Sequence, residues 1–122
     1  MNKKDRQSTF EKYKGKCAYC GCELLKGWHV DHLEPIRRDL LIRNKLIHPE
    51  RDCISNYMPS CASCNINKHS ETLEGFRASI KAYMKHLNEI NTQYKIAKRY
   101  GLIKETDIEV KFYFETINNK QI

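Results

Sequence analysis

The sequence contains no apolar run that approaches the roughly 20 residues a membrane-spanning helix needs. No apolar segment follows the charged residues 1–6 either, so no secretory signal is expected. Internal repeats and low-complexity linkers are absent, and the 122 residues are expected to form a single domain, 1–122. These absences predict a cytoplasmic protein without a membrane partner. In that reducing compartment, six cysteines favour metal binding over disulfides.

Acidic residues are fewer than basic ones: 15 Asp and Glu stand against 22 Lys and Arg, a formal net charge of +7. A basic surface attracts polyanions, and nucleic acid is the default cytoplasmic polyanion. Charge alone leaves open a surface of solvated lysines without such a partner.

The cysteines include two pairs with a two-residue gap, Cys17 with Cys20 and Cys61 with Cys64. That gap lets both thiolates of a pair hold one tetrahedral ion, so a structural Zn²⁺ with four cysteine ligands is predicted. Disulfides and a redox Cys-x-x-Cys are the alternatives, but the redox motif needs a single pair in a βαβ context, and no βαβ pattern is present. Cys22 and Cys53 are interpreted as packing residues, although Cys22 could compete for the metal.

Hydrophobic periodicity predicts short elements in the first half of the chain. They are a helix over 5–14, strands over 23–25 and 28–33 that form a hairpin through Lys26-Gly27, a strand over 56–59 and a helix from Cys61. The residues between, 36–55, read as a basic insert, for which we consider a short helix over 37–46.

The second half is dominated by one amphipathic pattern, with apolar residues at Leu73, Phe76, Ile80, Tyr83, Met84, Leu87 and Ile90. This predicts a long helix that Ser70 or Thr72 caps and Gly101 ends. Alternation over 108–114 predicts a terminal strand, followed by a frayed tail from Asn118. We expect this extension to stabilise the fold. The alternative is that its basic face or its last strand grips DNA or pairs two chains.

Further polar residues stand in a fixed order around the cysteines: Asp31-His32-Leu33-Glu34-Pro35, then Asn56, then Asn65 directly after Cys64, with Lys68 three residues on. This order and spacing, over about residues 10–70, closely resembles the HNH nuclease family. The resemblance implies an α+β fold. Residues 10–70 would form a small zinc-stabilised ββα-metal core, and 71–122 a C-terminal helical extension with its terminal strand.

The resemblance also implies a role for each polar residue. Asp31 and Asn65 would bind a catalytic cation, Mg²⁺ or Mn²⁺, His32 would be the general base that takes a proton from water, and Asn56 would brace the loop and orient His32. The implied activity is a DNA endonuclease, on duplex DNA, that leaves a 5′-phosphate and a 3′-hydroxyl. By association with the family, the setting would be a phage or mobile element.

The chemistry of these residue types agrees with that reading. A hard cation on oxygen ligands neutralises the charge that builds on a phosphodiester under attack. An imidazole with a pKa of about 6.5 is largely free to accept a proton at neutral pH. Five basic residues are candidate contacts to nucleic acid, although for the last of them a solvated lysine is equally consistent: Arg37, Arg38, Arg43, Lys45 and Lys68.

Two other functions fit parts of the sequence. A zinc-stabilised nucleic-acid-binding module without cleavage would keep the four cysteines and the basic surface. A protein-interaction domain would use the C-terminal helix and would bind DNA weakly or not at all.

Overall fold

The structure is a computed structural model that describes the backbone of residues 1–120 and the side chains of residues 1–117. Its elements, in chain order, are α1 (Lys3–Glu11), β1 (His29–His32), β2 (Tyr57–Ser60), α2 (Ala62–Lys68), α3 (Leu73–Ile90), α4 (Thr92–Arg99) and α5 (Tyr113–Lys120). Short 3₁₀ turns at Pro49–Arg51 and Ile54–Asn56 precede β2. The mixture of helices with a small sheet confirms the predicted α+β class.

The sheet consists of β1 and β2, which pair antiparallel with Asp31 opposite Met58 and His32 opposite Tyr57. The predicted hairpin of 23–25 with 28–33 is therefore wrong. Residues 23–25 turn back onto the chain before the first cysteine instead, where the Leu24 amide donates to the Gly15 carbonyl (2.8 Å). That return closes residues 16–23 into a tight turn around Cys17, which we name the knuckle. It leaves β1 free to pair with the strand that precedes α2.

The strand over 56–59 and the helix from Cys61 are confirmed as β2 and α2. All four residues of β2 are buried, because the strand lies between β1 and α1. Cys61 forms the N-cap of α2 and its Sγ accepts from the Cys64 amide (3.4 Å). The same cysteine thus ends the sheet, starts the helix and offers a ligand atom.

The core lies where the knuckle, α3 and the C-terminal segment meet. The Tyr19 ring packs edge-on against Phe76 and Phe112, with 5.7 Å between ring centroids in both pairs. The Tyr113 and Phe114 amides donate to the carbonyls of Tyr19 and Ala18 (2.9 Å each). The C-terminal segment is therefore fastened to the knuckle itself.

The predicted terminal strand over 108–114 is wrong. Residues 103–112 form no ladder within the described part of the chain, and α5 begins at Tyr113. The alternating pattern misleads because Glu115 caps a helix start: its carboxylate accepts from the Phe112 amide (2.8 Å) and pairs with Arg77. The helix extends to Lys120, so the predicted fraying from Asn118 is not seen as far as Lys120, and residues 121 and 122 lie outside the described residues.

The long C-terminal helix is confirmed in position but is divided in two. Thr72 caps α3 as predicted, and Asn91 interrupts the pattern because its Oδ1 accepts from the Tyr94 amide (2.8 Å) and starts α4. Gly101 ends α4 as predicted. It adopts φ +77°, and the Leu102 amide then reaches back to the Ala97 carbonyl (3.0 Å).

Residues 36–48, which we name the basic loop, form a projecting hairpin and not the helix considered over 37–46. The Ile47 amide donates to the Arg37 carbonyl and the Asp39 amide to the Lys45 carbonyl (2.9 Å each). Asp39 Oδ1 accepts from the amides of Leu41 (2.7 Å) and Ile42 (3.0 Å). An aspartate that binds backbone two and three residues ahead favours a turn over a helix.

Candidate active site

Four thiols converge beside the sheet, as their spacing predicts. The Sγ atoms of Cys17, Cys20, Cys61 and Cys64 all lie within 4.8 Å of one another. Those of Cys20 and Cys61 are 3.8 Å apart, which matches the edge of about 3.8 Å that a tetrahedron of 2.3 Å zinc–sulfur bonds requires. The cluster can hold a metal such as zinc.

The crowding of the thiols has an electrostatic consequence. Contact with Cys64 lowers the pKa of Cys17, while the same contact together with burial raises the pKa of Cys64. One thiolate thus makes ionisation of the next unfavourable. A divalent cation removes the conflict by neutralising the thiolates together. The prediction that Cys22 and Cys53 are packing residues is wrong, since both are exposed.

Asp31 is held in place by two buried partners. Its Oδ2 accepts from the Tyr19 hydroxyl (2.5 Å) and lies 3.0 Å from the Lys68 ammonium, while Asp31 itself is 7% exposed. Burial and the Asp31 charge raise the pKa of Tyr19, so the phenol stays a donor. Within the described residues no hydrogen bond is formed to Oδ1, and that atom is not fully buried. One carboxylate oxygen is fixed by the protein and the other remains open.

Lys68 does not have the role that the sequence predicted. Its side chain is wholly buried, and Nζ donates to the His32 carbonyl (2.9 Å) besides its ion pair with Asp31. Neither a phosphate contact nor a solvated lysine is compatible with that position. Asn65, three residues before Lys68 on α2, is half-buried, and residues three apart share a helix face.

The His32 ring is oriented by two residues that sequence reasoning missed. Its Nε2 lies 3.0 Å from Asp52 Oδ1, and the same oxygen accepts from the Tyr57 hydroxyl (2.8 Å). The Tyr57 ring stands edge-on to the imidazole, with centroids 5.4 Å apart. Hydrogen bonds from His32 and Tyr57 lower the pKa of Asp52, and Asp52 raises the pKa of Tyr57 to about 12. An ionised Asp52 places the proton on Nε2 and leaves Nδ1 as the acceptor.

Asn56 braces the chain just after His32. Its Oδ1 accepts from the Glu34 amide (2.9 Å), and its Nδ2 donates to the carbonyls of Glu34 (2.9 Å) and Arg51 (2.8 Å). The amide thereby ties the end of β1 to the turn that carries Asp52. It acts through this loop, because it makes no hydrogen bond to His32 itself within the described residues.

A cavity of about 540 Å³ opens beside Asp31 and His32. The other lining residues come from the basic loop, its approach and the end of α2: Pro35, Ile36, Arg37, Arg38, Leu40, Ile47, His69 and Ser70. Asn65 and Asn56 do not line it. His69, to which the sequence assigned no role, adopts φ +54° and ψ −138°, a strained region for a residue with a Cβ.

Four of the five predicted basic contacts lie together on the basic loop, and the fifth, Lys68, does not. Arg37, Arg38, Arg43 and Lys45 are exposed, and none of them forms an ion pair within the described part of the chain. The acid of the same loop, Asp39, directs Oδ1 at backbone amides. The rim of the cavity is therefore cationic and open to an anionic ligand.

Comparison with known families finds a match over the segment that builds this site. Residues 17–71, which contain both cysteine pairs, β1, β2 and α2, match the family described as HNH endonuclease. The match confirms the resemblance predicted from the sequence and indicates a nuclease or nucleic-acid-binding function. No curated protein and no solved structure matches the chain. Among the described residues, no helix is both long and apolar enough to cross a membrane.

Proposed function

We propose that the protein is a metal-dependent endonuclease that hydrolyses phosphodiester bonds of duplex DNA and leaves a 5′-phosphate and a 3′-hydroxyl. The observation that carries the proposal is the placement of Asp31 and His32 on one cavity, with the carboxylate fixed by Lys68 and the imidazole fixed by Asp52. Residues 10–70 would be the nuclease core of a single domain, stabilised by Zn²⁺ on the four cysteines and by residues 71–122.

His32 is proposed as the general base. Asp52 accepts from Nε2–H, so Nδ1 carries the free lone pair that takes a proton from the attacking water. The Tyr57 contact keeps Asp52 ionised and its oxygen in place. As the proton moves to His32, the imidazolium that forms is stabilised by the neighbouring carboxylate.

Asp31 and Asn65 are proposed as ligands of the catalytic cation, Mg²⁺ or Mn²⁺. Only Oδ1 of Asp31 is available, which suits monodentate binding of a hard ion that keeps water and phosphate oxygens as its other ligands. Such an ion would neutralise charge on the phosphodiester and its leaving oxygen. Asn65 stands one turn before Lys68 on α2, so its side chain shares the helix face that Lys68 presents to β1.

The basic loop is proposed to hold the substrate. Arg37 and Arg38 lie on the wall of the cavity, with Arg43 and Lys45 further out. Cations spread along one projecting loop match the regular phosphates of a nucleic-acid strand. This contact positions the backbone over His32 without specifying a sequence.

One observation favours the alternative, a zinc-stabilised nucleic-acid-binding module without cleavage. The Lys68 ammonium already supplies a positive charge 3.0 Å from Asp31, and Asn65 does not line the cavity. A carboxylate neutralised in this way binds an added cation less strongly.

Plasmid relaxation with and without Mg²⁺ tests the two functions. Wild type should nick or linearise the plasmid only with Mg²⁺. His32→Ala and Asn65→Ala should lose this activity while the zinc content stays at one per chain. His29→Ala is the matched control, since His29 lies on the same strand and is exposed, and it should cut at the wild-type rate. Plasmid binding without cleavage in any metal would support the binding module.

A further inference from the structure

The tip of the basic loop is apolar and projects into solvent. Leu40 is 99% exposed and Leu41 95%, and Ile42 beside them is 52% exposed. Large apolar side chains that stay in water contribute no hydrophobic free energy to folding. They contribute it only when a partner buries them, so a consecutive exposed group indicates an interaction site.

The conformation of the tip is defined by the loop itself. Below the tip, Arg38 and Leu46 form an antiparallel backbone bridge across the hairpin. Within the turn, Asp39 Oδ1 accepts from the backbone amides of Leu41 and Ile42. Asn44 adopts φ +63° and turns the chain back. The leucines are thus presented on a braced hairpin end, which lowers the entropy lost when they enter a partner.

The surroundings of the tip select the partner. Four cations that form no ion pair among the described residues flank it. The base of the same hairpin, together with Leu40 itself, lines the cavity that contains Asp31 and His32. A partner that buries Leu40 must therefore have a polyanionic surface and an apolar interior. It must also extend into the cavity at the same time. Duplex DNA has this order, with phosphates outside and stacked bases inside.

We propose that Leu40 and Leu41 form a wedge that enters between two base pairs next to the scissile phosphodiester and partly unstacks them. The inference rests on the proposed function. The arginines at the base of the loop hold the phosphates on either side, so the strand bends around the tip. Apolar side chains inserted at a base step produce kinks of this kind in other DNA-binding proteins.

A substrate preference follows from the wedge. Unstacking costs least at pyrimidine–purine steps and at mismatched or damaged bases. Cleavage should therefore be faster where such a step lies beside the scissile bond. We expect Leu40 and Leu41 to cause this preference for easily unstacked steps, because the flanking cations contact only phosphates.

The test uses duplexes that carry 2-aminopurine, whose fluorescence rises when it is unstacked. Binding is measured with His32→Ala so that the DNA stays intact, with and without Leu40→Ala and Leu41→Ala together. Leu102→Ala is the control, because Leu102 is also a highly exposed leucine (81%) and is remote in sequence from the loop. We expect unstacking by the His32→Ala protein and by the control. The double loop substitution should abolish it and raise Kd about 10- to 100-fold.

The same substitutions on the wild-type background should remove the preference for mismatched over perfect duplexes in the cleavage rate. Unchanged 2-aminopurine fluorescence on binding, or an equal rise with the double substitution, overturns the wedge. So does a result in which the leucines are needed only for sedimentation with anionic phosphatidylserine vesicles. A protein that cuts DNA without unstacking refutes this inference alone, whereas unstacking without cleavage in any metal refutes the proposed function alone.

Discussion

The Nζ atom of Lys68 lies 3.0 Å from Oδ2 of Asp31, at a depth where Lys68 has no exposed surface and Asp31 is 7% exposed. The pair joins α2 to β1, and the same ammonium also binds the carbonyl of His32. Removal of one partner leaves the other charge buried, which in proteins costs far more than the net worth of the pair.

Lys68→Met keeps most of the side-chain volume and removes the charge. We expect it to lower the free energy of unfolding by about 3 kcal/mol or more, measured by urea denaturation of the zinc-loaded protein. The double variant Lys68→Met with Asp31→Asn should be more stable than Lys68→Met alone, because it removes the unpaired carboxylate. Lys26→Ala, at an exposed turn, serves as control. A change within about 0.5 kcal/mol for Lys68→Met would contradict the buried pair.

Asp52→Asn tests how His32 is oriented. An amide can no longer favour the tautomer with the proton on Nε2, so the single-turnover cleavage rate should fall about 10- to 100-fold. Substrate affinity should stay the same, because Asp52 lies behind the imidazole. Glu50→Gln, an exposed acid two residues away, should cut normally. An equal loss in both variants would show a general electrostatic effect and no specific orientation.

The titration of the Tyr57 hydroxyl tests its hydrogen bond to Asp52 without a cleavage assay. Its pKa of about 12 stands above the ordinary value of about 10, since ionised Asp52 accepts from its hydroxyl. The contribution of this hydrogen bond to the free energy of unfolding is therefore complete below pH about 10 and is lost as the pH rises through about 12. Tyrosinate absorbance at high pH should show one tyrosine that ionises earlier in Asp52→Asn than in wild type. Superimposable titrations would refute the contact.

Metal removal should destabilise the knuckle, because the crowded thiols lose the cation that neutralises them, and contacts such as the hydrogen bond from the Ala18 amide to the Pro59 carbonyl (2.8 Å) then hold the two segments without it. Cys64→Ser should lose the bound zinc and unfold at a lower temperature than wild type, as should wild type treated with a strong chelator. Cys53→Ser should keep one zinc per chain. Full zinc content in Cys64→Ser would show that the four thiols are not the ligands.

The salt dependence of DNA binding tests the basic loop. Each phosphate contact contributes about −0.9 to the slope of log K against log salt concentration for duplex DNA. Arg43→Ala with Lys45→Ala should therefore reduce the slope by about 1.8 and weaken binding equally on all sequences. Lys104→Ala with Lys111→Ala, two exposed lysines outside the loop, should leave the slope unchanged.

The parts of the molecule that depend on local spacing were predictable from the sequence. The two-residue gaps bring four thiols together, and the motif order indicates the HNH class that the family match confirms. Thr72 and Gly101 bound the C-terminal helices as capping rules predict.

The wrong predictions share a physical cause: contacts with residues distant in sequence override the local hydrophobic pattern. Residues 23–25 look like the neighbour of β1 but pair with the chain before Cys17, so that β1 takes β2 as its partner. Phe112 and Phe114 alternate like a strand, yet Glu115 and Arg77 start a helix there. Asp52 and Tyr57 carried no motif, and their role emerges only when the turn before β2 folds against His32.

The proposed mechanism makes His32 the base beside a cation on Asp31. Single-turnover cleavage and Mn²⁺ binding, followed by electron paramagnetic resonance, should be measured together on wild type, His32→Ala and Asp31→Asn. We expect His32→Ala to bind DNA and Mn²⁺ as wild type does but to cut about 10²- to 10⁴-fold more slowly, whereas Asp31→Asn should lose Mn²⁺. Cleavage by His32→Ala at the wild-type rate would contradict this mechanism.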